Sequence, residues 1–455
     1  MQDILEKQNE YFYSNQFKPS YQTRISFLNR LQEAIKKYED DILEALQLDC
    51  GKPEIEAFLS EIYFVYSEIK LARRNLKKWM QKKKVSSPFF NFYSKSYYQY
   101  QPYGQVLIMG PWNYPVQLTL GPLVSALSAG NVAVVKPSEK TPQTAKIIAK
   151  VIQDAFKQEQ VICINGGVDA AQELLKHRFN KIFFTGSTSV GLKIAEQAAK
   201  TLTPVTLELG GKSPCVIDQS ADLELACENL LRTKIFNAGQ TCVAPDYVCI
   251  EASLEDDFKK TMTQIYNKVY KPHPIEAWSS KIINEQHFTR LEKLVANSDP
   301  SKVIIFSKDS FKKHYFPLSL VFDITWDDPI MQEEIFGPIL PVIKFSSLDT
   351  LLSKFNQLEK PLSLSVFAKD KIFIKKIVQN TQSGVVDVNS IMKSVSNINL
   401  PFGGVGHSGM GSSHGFFGFK SFSYTRSLTY KIGQDLFALQ PAYSKFYKMI
   451  RKFLS

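Results

Sequence analysis

Cysteine is scarce in this chain of 455 residues, and what there is lies scattered. Cys50, Cys163, Cys215, Cys227, Cys242 and Cys249 contain no C-x-x-C pair, and the six histidines contain no H-E-x-x-H. That pattern excludes a disulfide scaffold and gives no zinc site, so no metal is assigned. No uninterrupted apolar run reaches about 18 residues, so no membrane span is expected. The opening residues, MQDILEKQNEYFYSNQ, are polar and lack a signal-peptide core, and with so few cysteines a reducing cytoplasm is the expected compartment. There is no internal repeat. Nor is charge of one sign concentrated: 55 Lys and Arg against 44 Asp and Glu give +11, but the basic residues are dispersed. Their densest cluster, Lys77, Lys78, Lys82, Lys83 and Lys84, reads as the solvated end of a helix, so nucleic acid is not an expected partner.

What is present is the composition of a globular enzyme, 44% hydrophobic and 22% charged, with length for two or three domains. Residues 2–80 read as helices, with apolar residues three and four apart at Phe27, Leu28, Leu31 and Ile35, then at Ile42, Leu43 and Leu46. Gly51-Lys52-Pro53 punctuates this region and Ser86-Ser87-Pro88 ends it. The aromatic stretch 88–103 is β-prone and reads as an extended arm that needs a covering partner. From Gln105 the pattern changes to short apolar strands, at 105–110, 131–137, 161–166, 181–186 and 204–211, with helices starting near Pro115, Thr141, Asp169 and Ser187. Such alternation predicts a parallel sheet covered on both faces, which binds ligands at the carboxyl ends of its strands. A second α/β run has strands at 213–218, 246–251, 340–345, 362–368 and 384–389, with helices between them. A Gly/Ser-rich loop follows at 401–415, then a strand, SLTYKI, and a short basic helix, SKFYKMIRKFL, expected to pack on its own protein.

Five places bear chemistry. The loop Thr185-Gly186-Ser187-Thr188-Ser189-Val190-Gly191 joins a strand to a helix and offers unpaired N–H groups to an anion, although a plain strand–helix turn reads as well. Lys136-Pro137-Ser138-Glu139 ends another strand of the sheet, where a Lys and a Glu can bond ribose hydroxyls; a surface turn is the alternative. Cys242 follows a Gly-containing turn at the end of a helix, a setting that can expose a thiol to a cleft, whereas most cysteines are inert and buried. Glu208 stands between Leu207 and Leu209, where apolar surroundings raise a carboxyl pKa and suit a general base; an edge-strand Glu facing solvent is the alternative. Asn113, between Trp112 and Tyr114, has an amide that could hold an oxyanion or cap the following helix.

Taken together these pieces match one family. Trp112-Asn113-Tyr114-Pro115, Gly130-Asn131, Lys136-Pro137-Ser138-Glu139, Phe184-Thr185-Gly186-Ser187-Thr188, Leu207-Glu208-Leu209-Gly210-Gly211-Lys212, Gly239-Gln240-Thr241-Cys242, Glu333-Glu334-Ile335-Phe336-Gly337-Pro338 and Pro401-Phe402-Gly403-Gly404 occur in order. From about residue 20 to 430 the chain resembles the aldehyde dehydrogenase superfamily, most of all its class-three type, as Ala244-Pro245-Asp246-Tyr247 after the Cys also suggests. The resemblance implies that Cys242 attacks the aldehyde, that Asn113 holds the oxyanion, and that Glu208 activates the water that hydrolyses the thioester. It implies that Lys136 and Glu139 bind the adenosine ribose, that Gly186, Ser187 and Gly191 line the pyrophosphate, and that Glu334 and Phe336 meet the nicotinamide side. Glu139 leans the cofactor towards NAD, with NADP possible.

The expected fold class is α/β: a parallel-sheet dinucleotide-binding domain (1–84 and 101–208, with part of 401–425 returning), an α/β catalytic domain (209–400) and a β oligomerisation arm and tail (85–100 and 426–445). The arm and the terminal strand suggest sheet pairing across a homodimer with two-fold symmetry. The aromatic neighbours Trp112, Tyr114 and Phe236 suggest an apolar pocket for medium-chain aliphatic or aromatic aldehydes. A CoA-acylating dehydrogenase or thioesterase using the same Cys, and a silent binding protein on this fold, are the competing readings.

Overall fold

A computed structural model describes residues 2–14, 19–88, 91, 93–307, 314–433 and 452. Helices α1 (Gln2–Tyr13), α2 (Tyr21–Lys37), α3 (Glu39–Cys50), α4 (Glu54–Ala57) and α5 (Tyr63–Trp79) open the chain, with a single π-helical turn, Phe58–Ile62, between α4 and α5. Ser20 starts α2 by accepting the Thr23 N–H, and Gly51 stops α3 in the left-handed region, at φ 62°. The apolar stripes read from the sequence face inward: Phe27, Leu28, Leu31, Ile35, Ile42 and Leu46 all enter one core.

That core lies on one face of a six-stranded sheet built from β3 (Gln105–Met109), β4 (Val132–Lys136), β5 (Val161–Cys163), β6 (Lys181–Thr185) and β7 (Val205–Glu208), with β15 (Gly409–Met410) at its edge. The order is β15-β7-β6-β3-β4-β5, parallel except for β15. Alternate residues of β3 serve opposite faces: Val106 and Ile108 join the core under α2, α5 and α6, while Leu107 and Met109 join a second core under α8 and α9. Here α6 is Gln117–Ala129, α7 Pro142–Ala155, α8 Val168–Lys176 and α9 Thr188–Ala199. Strands buried along their whole length, as β3 and β4 are, read as unbroken apolar runs because helices cover both sides.

The second half of the chain carries a seven-stranded sheet of order β10-β11-β12-β9-β8-β13-β14. Five strands match the sequence pattern: β8 (Pro214–Ile217), β9 (Tyr247–Glu251), β12 (Ile339–Phe345), β13 (Ser363–Phe367) and β14 (Val385–Val388). Two do not: β10 (Val303–Ile305) and β11 (Ser319–Val321) are three residues each, too short to show a period. Helices α10 (Leu223–Ile235), α11 (Glu255–Val269) and α12 (Glu285–Ala296) pack beside it. Among the described residues no helix is long and apolar enough to cross a membrane.

The third sheet shows what the arm pairs with inside the chain. β1 (Lys83–Val85), β2 (Ser94–Pro102) and β16 (Ser423–Lys431) form an antiparallel sheet with β2 in the centre. The aromatic arm therefore pairs with the chain's own last strand, in register from Ser94 opposite Lys431 to Pro102 opposite Ser423. β16 pairs along the whole of β2, whereas β1 covers only Ser96–Tyr98 on its other edge. The arm's aromatic surface is met by the same chain: Tyr100 packs edge-on against Phe416 and Phe419 of the short helix Gly415–Ser421. The expected basic C-terminal helix lies outside the described residues apart from Lys452.

Candidate active site

The turn before Cys242 is conformationally expensive. Asn237, Ala238 and Gly239 are all left-handed, at φ 50°, 50° and 68°, where an ordinary residue loses about 1–2 kcal/mol. A Cβ on Gly239 would lie 2.5 Å from the Gly337 carbonyl oxygen, so the turn is pressed onto the loop that carries Glu334 and Phe336. Buried hydrogen bonds hold it there. The Asn237 N–H donates to Glu56 Oε1 at 2.9 Å, and Asn237 Nδ2 donates to the carbonyls of Asn113 and Gln240, both at 3.0 Å. Cys242 emerges half-buried from this clamp.

Asn113 sits beyond the carboxyl end of β3 and is buried. It does not cap α6. The first N–H groups there, of Val116 and Gln117, donate to Glu61 Oε2 at 2.9 Å each, and the Asn113 amide instead donates to the Gln240 carbonyl at 3.1 Å. An amide nitrogen carries two hydrogens, so one remains for a ligand.

Glu208 is the last residue of β7, flanked by β6 and β15, and is buried rather than pointed at solvent. Its Oε1 accepts the Ser413 hydroxyl at 3.0 Å, while Oε2 has no partner. Burial lifts its pKa to about 8, against the pull of the Ser413 bond. The Cys242 thiol is pushed up to about 12 by burial and by the nearby carboxylates of Glu334 and Glu208, with the N–H groups of Cys242 and Val243 acting the other way. An undisturbed site thus holds a thiol, and a base is needed to turn it into a nucleophile.

Glu334 and Phe336 lie on a loop pinned from two sides. Lys212 Nζ pairs with Asp246 and donates to the Ile330 and Glu333 carbonyls at 2.9 Å each; Asp246 also accepts the Ile335 N–H at 2.9 Å. Arg290 reaches the Glu334 carbonyl at 3.2 Å and Glu333 at 3.1 Å. The Glu334 carboxyl lies over Gly210, where a Cβ would collide with it, and burial raises its pKa to about 8. Phe336 meets Trp112 edge-on, ring centres 5.4 Å apart.

At the sheet's carboxyl end Lys136 is buried, its Nζ 3.3 Å from Oε2 of the exposed Glu139. Gly186 and the exposed Ser187 stand at the start of α9, whose cap makes no side-chain bond to the first N–H groups. Gly191 is buried in α9, where a Cβ would be 2.6 Å from Leu209 Cδ2, so it serves close helix–strand packing. An open helix start, a Lys–Glu pair at a strand end and a carboxyl over a bare glycine fit a dinucleotide.

Cys242 and Glu208 line one cleft. Its walls come from α5 and α6 (Phe64, Gln117, Leu118, Gly121, Pro122) and from Phe183, Phe402 and His414. None of Trp112, Tyr114 and Phe236 lines it. Tyr114 is buried with its hydroxyl 2.6 Å from Thr241 Oγ1, Trp112 turns to Phe336 and His287, and Phe236 is half-buried at the turn. His414 keeps an unpartnered Nδ1, stacks on Phe402 with ring centres 4.9 Å apart, and has its pKa lowered by burial to about 4. It is a neutral wall. The sequence reading also passed over Glu68, which accepts the Gly415 N–H at 3.0 and 3.2 Å, and Lys52, Glu56 and Glu61 behind the site. Gly51-Lys52-Pro53 was their visible signal, and it reads locally as punctuation.

A half-buried cysteine and a buried carboxyl opening on one cleft, beside a dinucleotide-type strand end, are groups that a dehydrogenase working through an acyl intermediate would need. The chain belongs to the aldehyde dehydrogenase family, whose profile matches residues 13–428. It is 40% identical over 433 residues to the 4,4'-diaponeurosporen-aldehyde dehydrogenase of Staphylococcus aureus (strain NCTC 8325 / PS 47), covering 93% of this chain and 94% of that one. It is 38% identical over 426 residues to the dimeric NADP-preferring aldehyde dehydrogenase of Canis lupus familiaris, covering 93% of each. The solved substrate-bound state of Staphylococcus aureus AldH superposes with a TM-score of 0.95 at 37% identity, over 100% of this chain and 99% of that one. The protein is an NAD(P)-dependent aldehyde dehydrogenase.

Proposed function

We infer that the chain oxidises apolar aldehydes, medium-chain aliphatic or aromatic, to carboxylic acids through a thioester on Cys242. The observation that carries this is that Cys242 and Glu208 open on the same largely hydrophobic cleft. The Cys242 thiol gives its proton to water, the sulfur attacks the carbonyl carbon as the C=O π pair moves onto oxygen, and the free Asn113 amide hydrogen and the Cys242 N–H hold that oxygen in the thiohemiacetal. Such donors are worth roughly 3–4 kcal/mol each in acyl-transfer sites. NAD(P), when bound, supplies the hydride acceptor. Glu208 then takes a proton from water, the hydroxyl adds to the thioester, and the acid leaves as the Cys242 sulfur departs. Lys136 and Glu139 hold the adenosine ribose, Glu139 favouring a free 2′-hydroxyl and hence NAD. The open start of α9 at Gly186 and Ser187 faces the pyrophosphate, Glu334 holds the nicotinamide ribose, and Phe336 packs beside the ring.

The active form is a homodimer. The outer edge of β16, nine residues long and mostly exposed, is unpaired among the described residues and is the face for a second copy. A cytoplasmic setting is supported by the six cysteines, all of them free, and by chemistry that needs a reduced thiol. The test is NADH and NADPH formation across an aldehyde panel, with product analysis in the presence and absence of CoA. Acid formed from hexanal or benzaldehyde, and lost in Cys242→Ala, is the expected result. Turnover confined to small charged aldehydes, or undiminished in Cys242→Ala, overturns the reading. A monomeric mass in solution scattering refutes the dimer.

A further inference from the structure

Beneath the nucleophile turn lies an ion pair that the reaction scheme leaves unused. Lys52 Nζ bonds Glu61 Oε1, and both side chains are 0% exposed. A buried pair is weak evidence of stabilisation, because desolvating two charges offsets their attraction and well-packed apolar residues of similar volume often serve as well. Its remaining bonds are more informative, since all of them aim at the active site. Glu61 Oε2 accepts the N–H groups of Val116 and Gln117. Lys52 Nζ donates to the main-chain carbonyl of Asn113 at 2.9 Å and lies 4.1 Å from the centre of the Tyr114 ring. One bond further on, the same Asn113 carbonyl accepts Asn237 Nδ2, and the Tyr114 hydroxyl pairs with Thr241.

The pair therefore grips residues 113–117 from behind and, through them, the 237–241 turn. Its members come from elsewhere in the chain: Lys52 follows the left-handed Gly51, and Glu61 rides the π-helical turn, a distortion frequent at functional sites. The Asn113 side chain has one fixed hydrogen bond of its own, to Gln240. Where its second amide hydrogen lies depends on the backbone from which the side chain hangs, and a charge-assisted bond from Lys52 to the Asn113 carbonyl holds that backbone in place.

We propose that Lys52 is a positioning residue for aldehyde oxidation: held by Glu61 and bonded to the Asn113 carbonyl, it aims the Asn113 amide at the developing oxyanion. This rests on the reading of Asn113 as an oxyanion donor. The experiment combines Lys52→Met, and the charge-free Lys52→Met/Glu61→Gln, with Asn113→Ala in double-mutant cycles on the full-length enzyme. The readouts are kcat/KM for hexanal, the rate of Cys242 alkylation by iodoacetamide, and the melting curve. Asn113→Ala is expected to lower kcat/KM by ~10²–10³. Each Lys52 variant is expected to lower it ~10–100-fold, as a small misplacement of a catalytic group does, with Cys242 alkylation unchanged. In the Asn113→Ala background the Lys52 effect should vanish, because the group it aims is gone. A loss of the same size in both backgrounds, or no loss in either, overturns the proposal while leaving the oxyanion reading intact. Full activity in Asn113→Ala overturns that reading and the proposal with it. If neither Lys52 variant folds, the pair serves the fold alone and the proposal is wrong.

Discussion

Replacing Glu208 by glutamine sets turnover and stability against each other. In the folded protein burial holds this carboxyl at a pKa of about 8. In the unfolded chain it titrates at the ordinary value of about 4.3. Between those values the folded state keeps a proton that the unfolded state has released, so the group's contribution to stability falls as pH rises from about 4 to about 8. At about 1.4 kcal/mol per pKa unit, the gap amounts to roughly 5 kcal/mol of destabilisation above about pH 8. Glutamine carries no such charge. Its carbonyl can accept the Ser413 hydroxyl as Oε1 does, but its N–H₂ inherits the place of Oε2, which has no partner. That orphaned donor costs about 1–3 kcal/mol. The variant should therefore be more stable than the parent by roughly 2–4 kcal/mol above about pH 8, and no more stable below about pH 5. Steady-state turnover should drop by ~10²–10⁴, the range for a general base. The first turnover should survive, because Glu208 acts on the thioester. Melting curves at both pH values and stopped-flow NADH absorbance check the two halves. A stability gap that does not widen with pH refutes the burial argument. Loss of the burst along with turnover would falsify the assignment of Glu208 to hydrolysis.

Three further perturbations bear on the same geometry. Ser413→Ala removes the hydroxyl that favours the ionised form of Glu208, so the rising limb of the kcat–pH profile should move to higher pH, by roughly half to one unit. Gly239→Ala places a methyl 2.5 Å from the Gly337 oxygen at φ 68°; a loss of at least about 1–2 kcal/mol by denaturant unfolding is expected, with kcat reduced as the Cys242 turn lifts off the Glu334 loop. Leu118→Trp narrows the cleft on its α6 wall, so KM for hexanal or benzaldehyde should rise ~10-fold or more while acetaldehyde is little affected, as a panel of Michaelis curves would show.

How far the chain could be read residue by residue depended on the range over which each feature is determined. The strands of both large sheets were legible because a strand covered on two faces must be apolar throughout, as β3 and β4 are, and because the intervening helices repeat on their own period. β10 and β11 were not, since three residues hold no period. The arm reads as extended from its sequence, but its pairing with the chain's own last strand does not. Pairing between β2 and β16 joins residues more than 300 positions apart, and no local signal reports such a register.

The site divides along the same line. Cys242, Glu208, Asn113, Glu334 and Phe336 stand at strand ends and turns, where glycines and prolines mark the chain and motifs are compact. The cleft walls do not announce themselves in this way. Trp112, Tyr114 and Phe236 were chosen because they neighbour reactive residues in sequence, yet neighbours in a tight turn point in diverging directions. Tyr114 turns back to Lys52 and Thr241 while the Asn113 amide turns towards Gln240. The surfaces that face Cys242 come from helices α5 and α6, where Phe64 and Leu118 look like ordinary members of helical stripes. For the same reason Lys52 reads only as part of the Gly51-Lys52-Pro53 punctuation and Glu61 carries no mark of its own: nine residues apart in sequence, they meet where Glu61 rides the π-helical turn. A reaction is therefore more legible than its substrate in a chain of this kind. Chemistry needs a few special residues at special backbone positions, whereas specificity is built from common residues whose meaning lies in the packing of distant segments.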